Sequence, residues 1–273
     1  RGIVFVRDGG DALGVSARAK ELAPEYGIDY RTPIFAIHKE GHYGSIVGKG
    51  FATMVEFHKR VLEAKQAGAD FIKIMATGGF ATPNDDPDDI QLNDAEFKAI
   101  FDTAKELKIS VTAHAYGPRL MKKLMGFGIT GIEHGSLMDE ETAKMFEETG
   151  TYLVPTFSPF QEAIYPDPEK MAQKSPDFQR KLGIYQKQMQ RGREIIVGSN
   201  IKLGYGTDFV AAYQCYESGM EFRCMMESGM DTFRILKAAT KNNAEICEID
   251  KVTGTIEKGK YADISGWARD LMT

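Results

Sequence analysis

Lys73, His114, His134 and Asp208 are the residues whose types and spacing could do chemistry in this sequence. Lys73 sits inside Phe71-Ile72-Lys73-Ile74-Met75, a short apolar run. His114 lies in "SVTAHAYG", His134 in "ITGIEHG", and Asp208 near the end of "IKLGYGTDF". His42 follows a further run, "RTPIFAIH". Imidazoles and carboxylates ligate divalent cations and move protons near neutral pH. The lysine is the odd member, because lysine is almost never fully buried without a partner. Taken singly, each residue has a plainer reading. His114 and His134 would be hydrogen-bonded core histidines, Asp208 a turn or cap residue, and Lys73 a chain snorkelling to a rim. His38 and His58 read as structural or surface groups.

The elements that must position these residues alternate. Strand-like runs at 2–8, 31–38, 71–79, 110–117, 129–135, 151–158 and 201–209 are separated by helical patterns such as 51–67, 94–107 and 139–149. Asn93 and Glu96 have capping-box spacing ahead of one helix. A last helix near 232–246 precedes a turn-rich, strand-like tail. Such alternation predicts a parallel sheet. Seven strands fit an open doubly wound sheet, or an eight-unit barrel whose first unit lies upstream. In such a barrel functional groups sit at the C-terminal ends of strands, which would gather these residues at one rim. "RDGGDALG" lacks the dinucleotide spacing, and "KIMATGGFATP" lacks the Lys-Ser/Thr ending of a phosphate loop.

The 273 residues, 42% hydrophobic, suffice for one large domain. A formal net charge of −5 speaks against nonspecific nucleic-acid binding. The three cysteines, Cys215, Cys224 and Cys247, fit a reducing, cytoplasmic compartment better than a disulfide framework, with a Cys215–Cys224 pair left open. No apolar stretch of about 18 residues indicates a membrane span. The chain begins with Arg1 and enters "GIVFVRDGG" at once, so an upstream segment is expected, and a signal peptide is neither seen nor excluded.

"FVRDGG", "IKIMATGG", "TAHAYG", "GIEHG" and "YGTD", in that order, resemble the amidohydrolase superfamily of metal-dependent hydrolases, in its prolidase-like and imidazolonepropionase-related branch. The tail "TGTIEKGKYADI" resembles the segment by which those chains leave the barrel and rejoin a small β-sandwich. The resemblance implies a (β/α)8 barrel over residues 1–249, its first strand absent from this chain, with 250–273 leading to the sandwich. It further implies that carbon dioxide carboxylates Lys73, which bridges two divalent metals, usually zinc. His114 and His134 would hold one metal and Asp208 the other. A metal-bridging hydroxide would attack the amide carbon, with Asp208 shuttling its proton to the leaving nitrogen. His42 and Tyr116 match substrate-binding positions, and "FSPFQEAIYPDPEKM" matches a lid.

The family's His-x-His pair is absent here and is expected upstream. The implied substrate is a small dipeptide or N-acyl amino acid, with no nucleic-acid or membrane partner and a homo-oligomer compatible. A mononuclear cyclic-amide hydrolase or deaminase, a lactonase or phosphotriesterase-like hydrolase, and a catalytically inactive scaffold barrel are the alternatives.

Overall fold

The computed structural model describes residues 2–80, 82, 83, 85–210, 214, 217 and 219–266. The chain divides into two compact units, one of residues 3–133 and one beginning at His134. The first unit holds β1 (Phe5–Arg7), β2 (Asp29–Arg31), β3 (Ala36–Lys39), β4 (Gly48–Phe51), β5 (Ile72–Met75), β6 (Val111–Ala115) and β7 (Gly131–His134), whose last residue opens the second unit. β1 pairs with β2, and the others run in the order β4-β3-β5-β6-β7. The β1–β2, β3–β4, β3–β5 and β5–β6 pairs are parallel.

Helices cover this sheet for reasons visible in the sequence. Met54–Gln66 starts at a Thr53/Glu56 capping box and buries Phe57, Val61 and Ala64, one stripe at helical spacing. Asp94–Leu107 has the expected Asn93/Glu96 box and buries Phe97, Ile100 and Ala104. Phe57 and Phe97 are fully buried, each contributing about 2–3 kcal/mol of apolar burial.

Two strands went unanticipated, β2 and β4. The glycines of "VGKGF" read as loop, yet they permit the pairing. A Cβ on Gly48 would lie 1.9 Å from the Ala36 carbonyl oxygen of β3.

The parallel register fixes which side chains share a face. Lys73 pairs with Thr112 and Met75 with His114, so these four point the same way, and Ile72, Ile74 and Ala113 point the other. On the Lys73 face, Arg7 binds Glu133 at 3.2 Å and Thr112 Oγ1 at 3.1 Å, and its guanidinium lies 4.1 Å from the Phe71 ring centre. The Arg7 and Glu133 side chains are 14% and 8% exposed. Breaking a buried pair by removing one partner costs about 3–5 kcal/mol. Glu133→Ala should therefore lower unfolding stability by about that amount in urea titrations. A loss under about 1 kcal/mol would mean that this pair does not tie β1 to the sheet.

In the second unit, β8 (Tyr152–Val154) makes one parallel bridge to the 201–209 run, Leu153 to Leu203. The strand expected over 201–209 is thus reduced to that bridge among the described residues. The reason is a substitution of partners. Asn243 accepts from Tyr205 N and donates to its carbonyl, and Asn242 donates to the Leu203 carbonyl. Side-chain amides take the bonds that a neighbouring strand would supply.

The helix expected at 232–246 forms as Thr232–Lys237, a π turn Ala238–Asn242, and Asn243–Ile246. Residues 250–266 carry turns and no strand. Cys224 and Cys247 are buried, and Cys215 lies outside the described residues. No helix among the described residues is long and apolar enough to cross a membrane.

Candidate functional site

In the first unit Lys73 is half-buried on the face it shares with His114. Among the described residues no carboxylate or carbonyl pairs with its ammonium, which is an unusual condition for a lysine in a strand. Its end packs against the backbone just after β1, where a Cβ on Gly9 would stand 3.0 Å from Lys73 Nζ. His114 is 2% exposed, and its Nε2 lies 3.0 Å from the Gly78 carbonyl oxygen. A carbonyl only accepts, so that nitrogen carries the proton and Nδ1 keeps a lone pair. Burial holds the imidazole neutral, its pKa lowered to about 3, and the Lys73 charge pushes the same way.

Aromatic rings fix the orientation of His114. Tyr116 stands edge-on to it at 4.8 Å between centres, and Tyr43 lies 5.0 Å away. Tyr116 is 3% exposed and also meets Phe80 edge-on. His42 is on the surface of the 41–46 loop, where its Nδ1 sits 3.0 Å from Asp85 Oδ1. Asp85 is mostly buried, so the pair anchors this loop to the segment after β5. His38 is buried with Nδ1 2.9 Å from the Lys39 carbonyl, and His58 meets the Thr103 hydroxyl. Both fit the structural reading.

The second unit carries His134 and Asp208. His134 is buried, and its Nδ1 lies 2.7 Å from the Thr156 hydroxyl. His134, Thr156 and Asp208 have φ of 77°, 45° and 52°. Non-glycine residues rarely enter this left-handed region, and the strain collects at functional turns. Phe157, Phe160 and Ile164 of the expected lid are buried, and Gln186 and Gln190 donate to the carbonyls of Ala163 and Ile164. This half of the segment is anchored.

Glu221 has no exposed surface. Its two oxygens accept from Phe157 N at 2.8 Å and Ser158 N at 2.7 Å. Burial pushes its carboxyl up to about 7, against the pull of those donors and of Arg193. Tyr205 and Cys224 are the other titratable groups that feel its charge from neighbouring segments. The native protein therefore holds this proton more tightly than the unfolded chain does. The group favours the fold below its ordinary value of 4.5, and that contribution is lost as pH rises through about 7. The interval corresponds to about 3 kcal/mol. Glu221→Gln should remove that part of the decline in stability over this range, read by chemical denaturation at stepped pH. Wild type and variant falling in parallel would contradict it.

Sequence reasoning missed Gly9, Asp85, Thr156, Arg193 and Glu221. Each acts through a partner distant in sequence, and no local signal marks them. Among the described residues no three His, Cys, Asp or Glu side chains gather as a cage. The features that suit a metal centre are the Lys73 ammonium, which has no ion-pair partner among the described residues, the lack of a side chain at Gly9 beside it, and the neutral imidazole of His114. Together they fit a lysine that becomes anionic beside an imidazole ligand.

The pattern of the Amidohydrolase family matches residues 32–272, so the chain belongs to that family. Its resemblance to the prolidase-like branch also holds. It is 26% identical over 199 residues to ochratoxinase from Aspergillus niger, covering 72% of this chain and 40% of that protein. The chain thus spans about two-fifths of the length of that curated relative. Among solved structures, a prolidase complexed with N-methylphosphonate-L-proline is 28% identical with a TM-score of 0.79, covering 95% of this chain and 67% of the other. A Xaa-Pro dipeptidase with bound methionine in the active site is 25% identical with a TM-score of 0.79, covering 95% and 68%.

Proposed function

We propose that this chain carries the (β/α)8 barrel of a metal-dependent hydrolase that cleaves the amide bond of a dipeptide or N-acyl amino acid. Residues 1–249 belong to the barrel, and 250–273 lead toward a small β-sandwich. The observation that carries the reading is the Lys73 ammonium, without an ion-pair partner among the described residues, beside Gly9 and one strand from neutral His114. In the unprotonated amine the nitrogen lone pair attacks carbon dioxide. An N–C bond forms, one C=O pair moves to oxygen, and the amine proton leaves to solvent. The resulting carbamate is an anion with two oxygens to offer.

Lys73 so modified, His114, His134 and Asp208 would hold two divalent cations, zinc by the chemistry of the donor set. Bound there, the cations supply Lewis acidity toward the amide carbonyl and acidify water. Asp208 accepts a proton from the attacking water and delivers it to the leaving nitrogen, first as base and then as acid. Neutral His114 commits its Nε2 proton to the Gly78 carbonyl, so Nδ1 is the nitrogen that would act as a ligand. His42, oriented by Asp85, and Tyr116 bind the carboxylate and carbonyl ends of the substrate. The named activities of the prolidase and dipeptidase neighbours support this substrate class.

The test is a screen of dipeptides and N-acyl amino acids with the zinc-loaded full-length protein. Turnover of an X-Pro or N-acyl substrate, with two zinc equivalents per chain, is expected. Rapid lactone or phosphoester cleavage with no amide turnover would overturn the substrate class. Absence of bound metal would favour the scaffold alternative.

A further inference from the structure

We infer that Glu221 is a positioning residue that sets the backbone carrying both the hydrogen-bond partner of His134 and the carboxylate of Asp208. The inference rests on the proposed role of those two residues as ligands. The connections run through one short segment. Thr156 holds His134 Nδ1 at 2.7 Å. The next two residues, Phe157 and Ser158, give both their N–H groups to the two oxygens of Glu221. Ser158 Oγ then donates to the Thr207 carbonyl at 2.9 Å, one residue before Asp208. A single carboxylate with no exposed surface therefore stands between two turns in the left-handed region, at Thr156 and Asp208.

Arg193 closes the arrangement from the other side. It is 4% exposed, donates to the Phe157 carbonyl at 3.1 Å, and its guanidinium lies 4.4 Å from the Phe157 ring centre. It also donates to Gln161 at 2.6 Å. The peptide units flanking Phe157 are thus held by the Glu221 carboxyl at their N–H groups and by the Arg193 guanidinium at a carbonyl. Thr156 at φ 45° is unfavourable by itself. Bonds to the next two N–H groups can keep it there.

A merely structural glutamate would affect folding without changing how the ligands meet a cation. The two are separated by cobalt(II) titration of the metal-free full-length protein, reading d–d absorption. Near-UV circular dichroism of each metal-free variant serves as the folding check. In Glu221→Gln one backbone N–H faces an amide NH2 in place of an oxygen. Changes to groups that orient ligands typically weaken metal affinity by about 10–100-fold. Glu221→Gln is expected to retain the wild-type dichroism, bind cobalt(II) more weakly by about that factor, and show an altered d–d band. Ser158→Ala keeps the Ser158 N–H bond to Glu221 but deletes the hydroxyl's links to Thr207 and to the Glu221 carboxyl. It should shift the band in the same direction with a smaller loss, which keeps the test intact where the first variant does not fold. Wild-type affinity and an unchanged band in both folded variants, or in folded Ser158→Ala alone, would overturn the role of Glu221. Failure of the wild-type protein to bind cobalt(II) would instead overturn the ligand assignment beneath it.

Discussion

Lys73→Ala should lower kcat/KM for the amide substrate by about a thousandfold or more and reduce the zinc content of the purified protein. The size of the effect follows from what is removed. The ammonium of Lys73 has no partner among the described residues, so the side chain does not hold the fold through an ion pair. Its removal leaves the Arg7–Glu133 pair and the Met75–His114 register in place. What disappears is the group on this face that the proposed reading turns into a bridging carbamate, since the Glu133 carboxylate is engaged by Arg7. Without it, two cations would repel each other with no bridging charge between them. Added acetate supplies a small carboxylate in place of the lost carbamate and should restore part of the activity. A Lys73→Ala protein with more than about a tenth of wild-type kcat/KM would show that the lysine is a structural or rim residue.

Asp208→Asn should reduce kcat by about 10²–10⁴-fold, leave KM nearly unchanged, and remove the limb of the pH–rate profile that reports this carboxyl. Asparagine is the appropriate probe because of the backbone. Asp208 sits at φ 52°, a conformation that asparagine tolerates better than most residues. The turn that follows Thr207 should survive, and the amide oxygen can still act as a ligand. It cannot carry a proton between water and the leaving nitrogen. Steady-state kinetics across pH would separate the roles. A large rise in KM with kcat preserved would mark Asp208 as a substrate-binding or turn residue.

The runs carrying Lys73, His114 and His134 were legible because β5, β6 and β7 are short, apolar and bounded by helices with readable starts. The Asn93/Glu96 box is the clearest example, since both of its reciprocal bonds are present. β4 was not legible, because Gly48 and Gly50 carry a loop signature while the lack of a Cβ at Gly48 is what lets it approach Ala36. The strand at 201–209 was overestimated for the opposite reason. Its composition suits a ladder, but Asn242 and Asn243 satisfy its backbone groups from a helix.

At the site, residue types pointed to chemistry while their supports stayed hidden. The left-handed residues His134, Thr156 and Asp208 are not glycines, and only the first has a positive-φ glycine, Gly135, directly beside it. Glu221 looks like any acidic residue near a helix start, and only burial against Phe157 and Ser158 distinguishes it. Asp85 lies in an acidic run that reads as a solvated loop until its bond to His42 is seen.

The state of Lys73 Nζ can be read directly by carbon-13 NMR of the full-length protein equilibrated with labelled bicarbonate and zinc. The account predicts a protein-bound carbamate carbon resonance that is absent from Lys73→Ala and weakened in Gly9→Ala, where a methyl would intrude 3.0 Å from the nitrogen. A wild-type spectrum with no such resonance at saturating bicarbonate and bound zinc would contradict it.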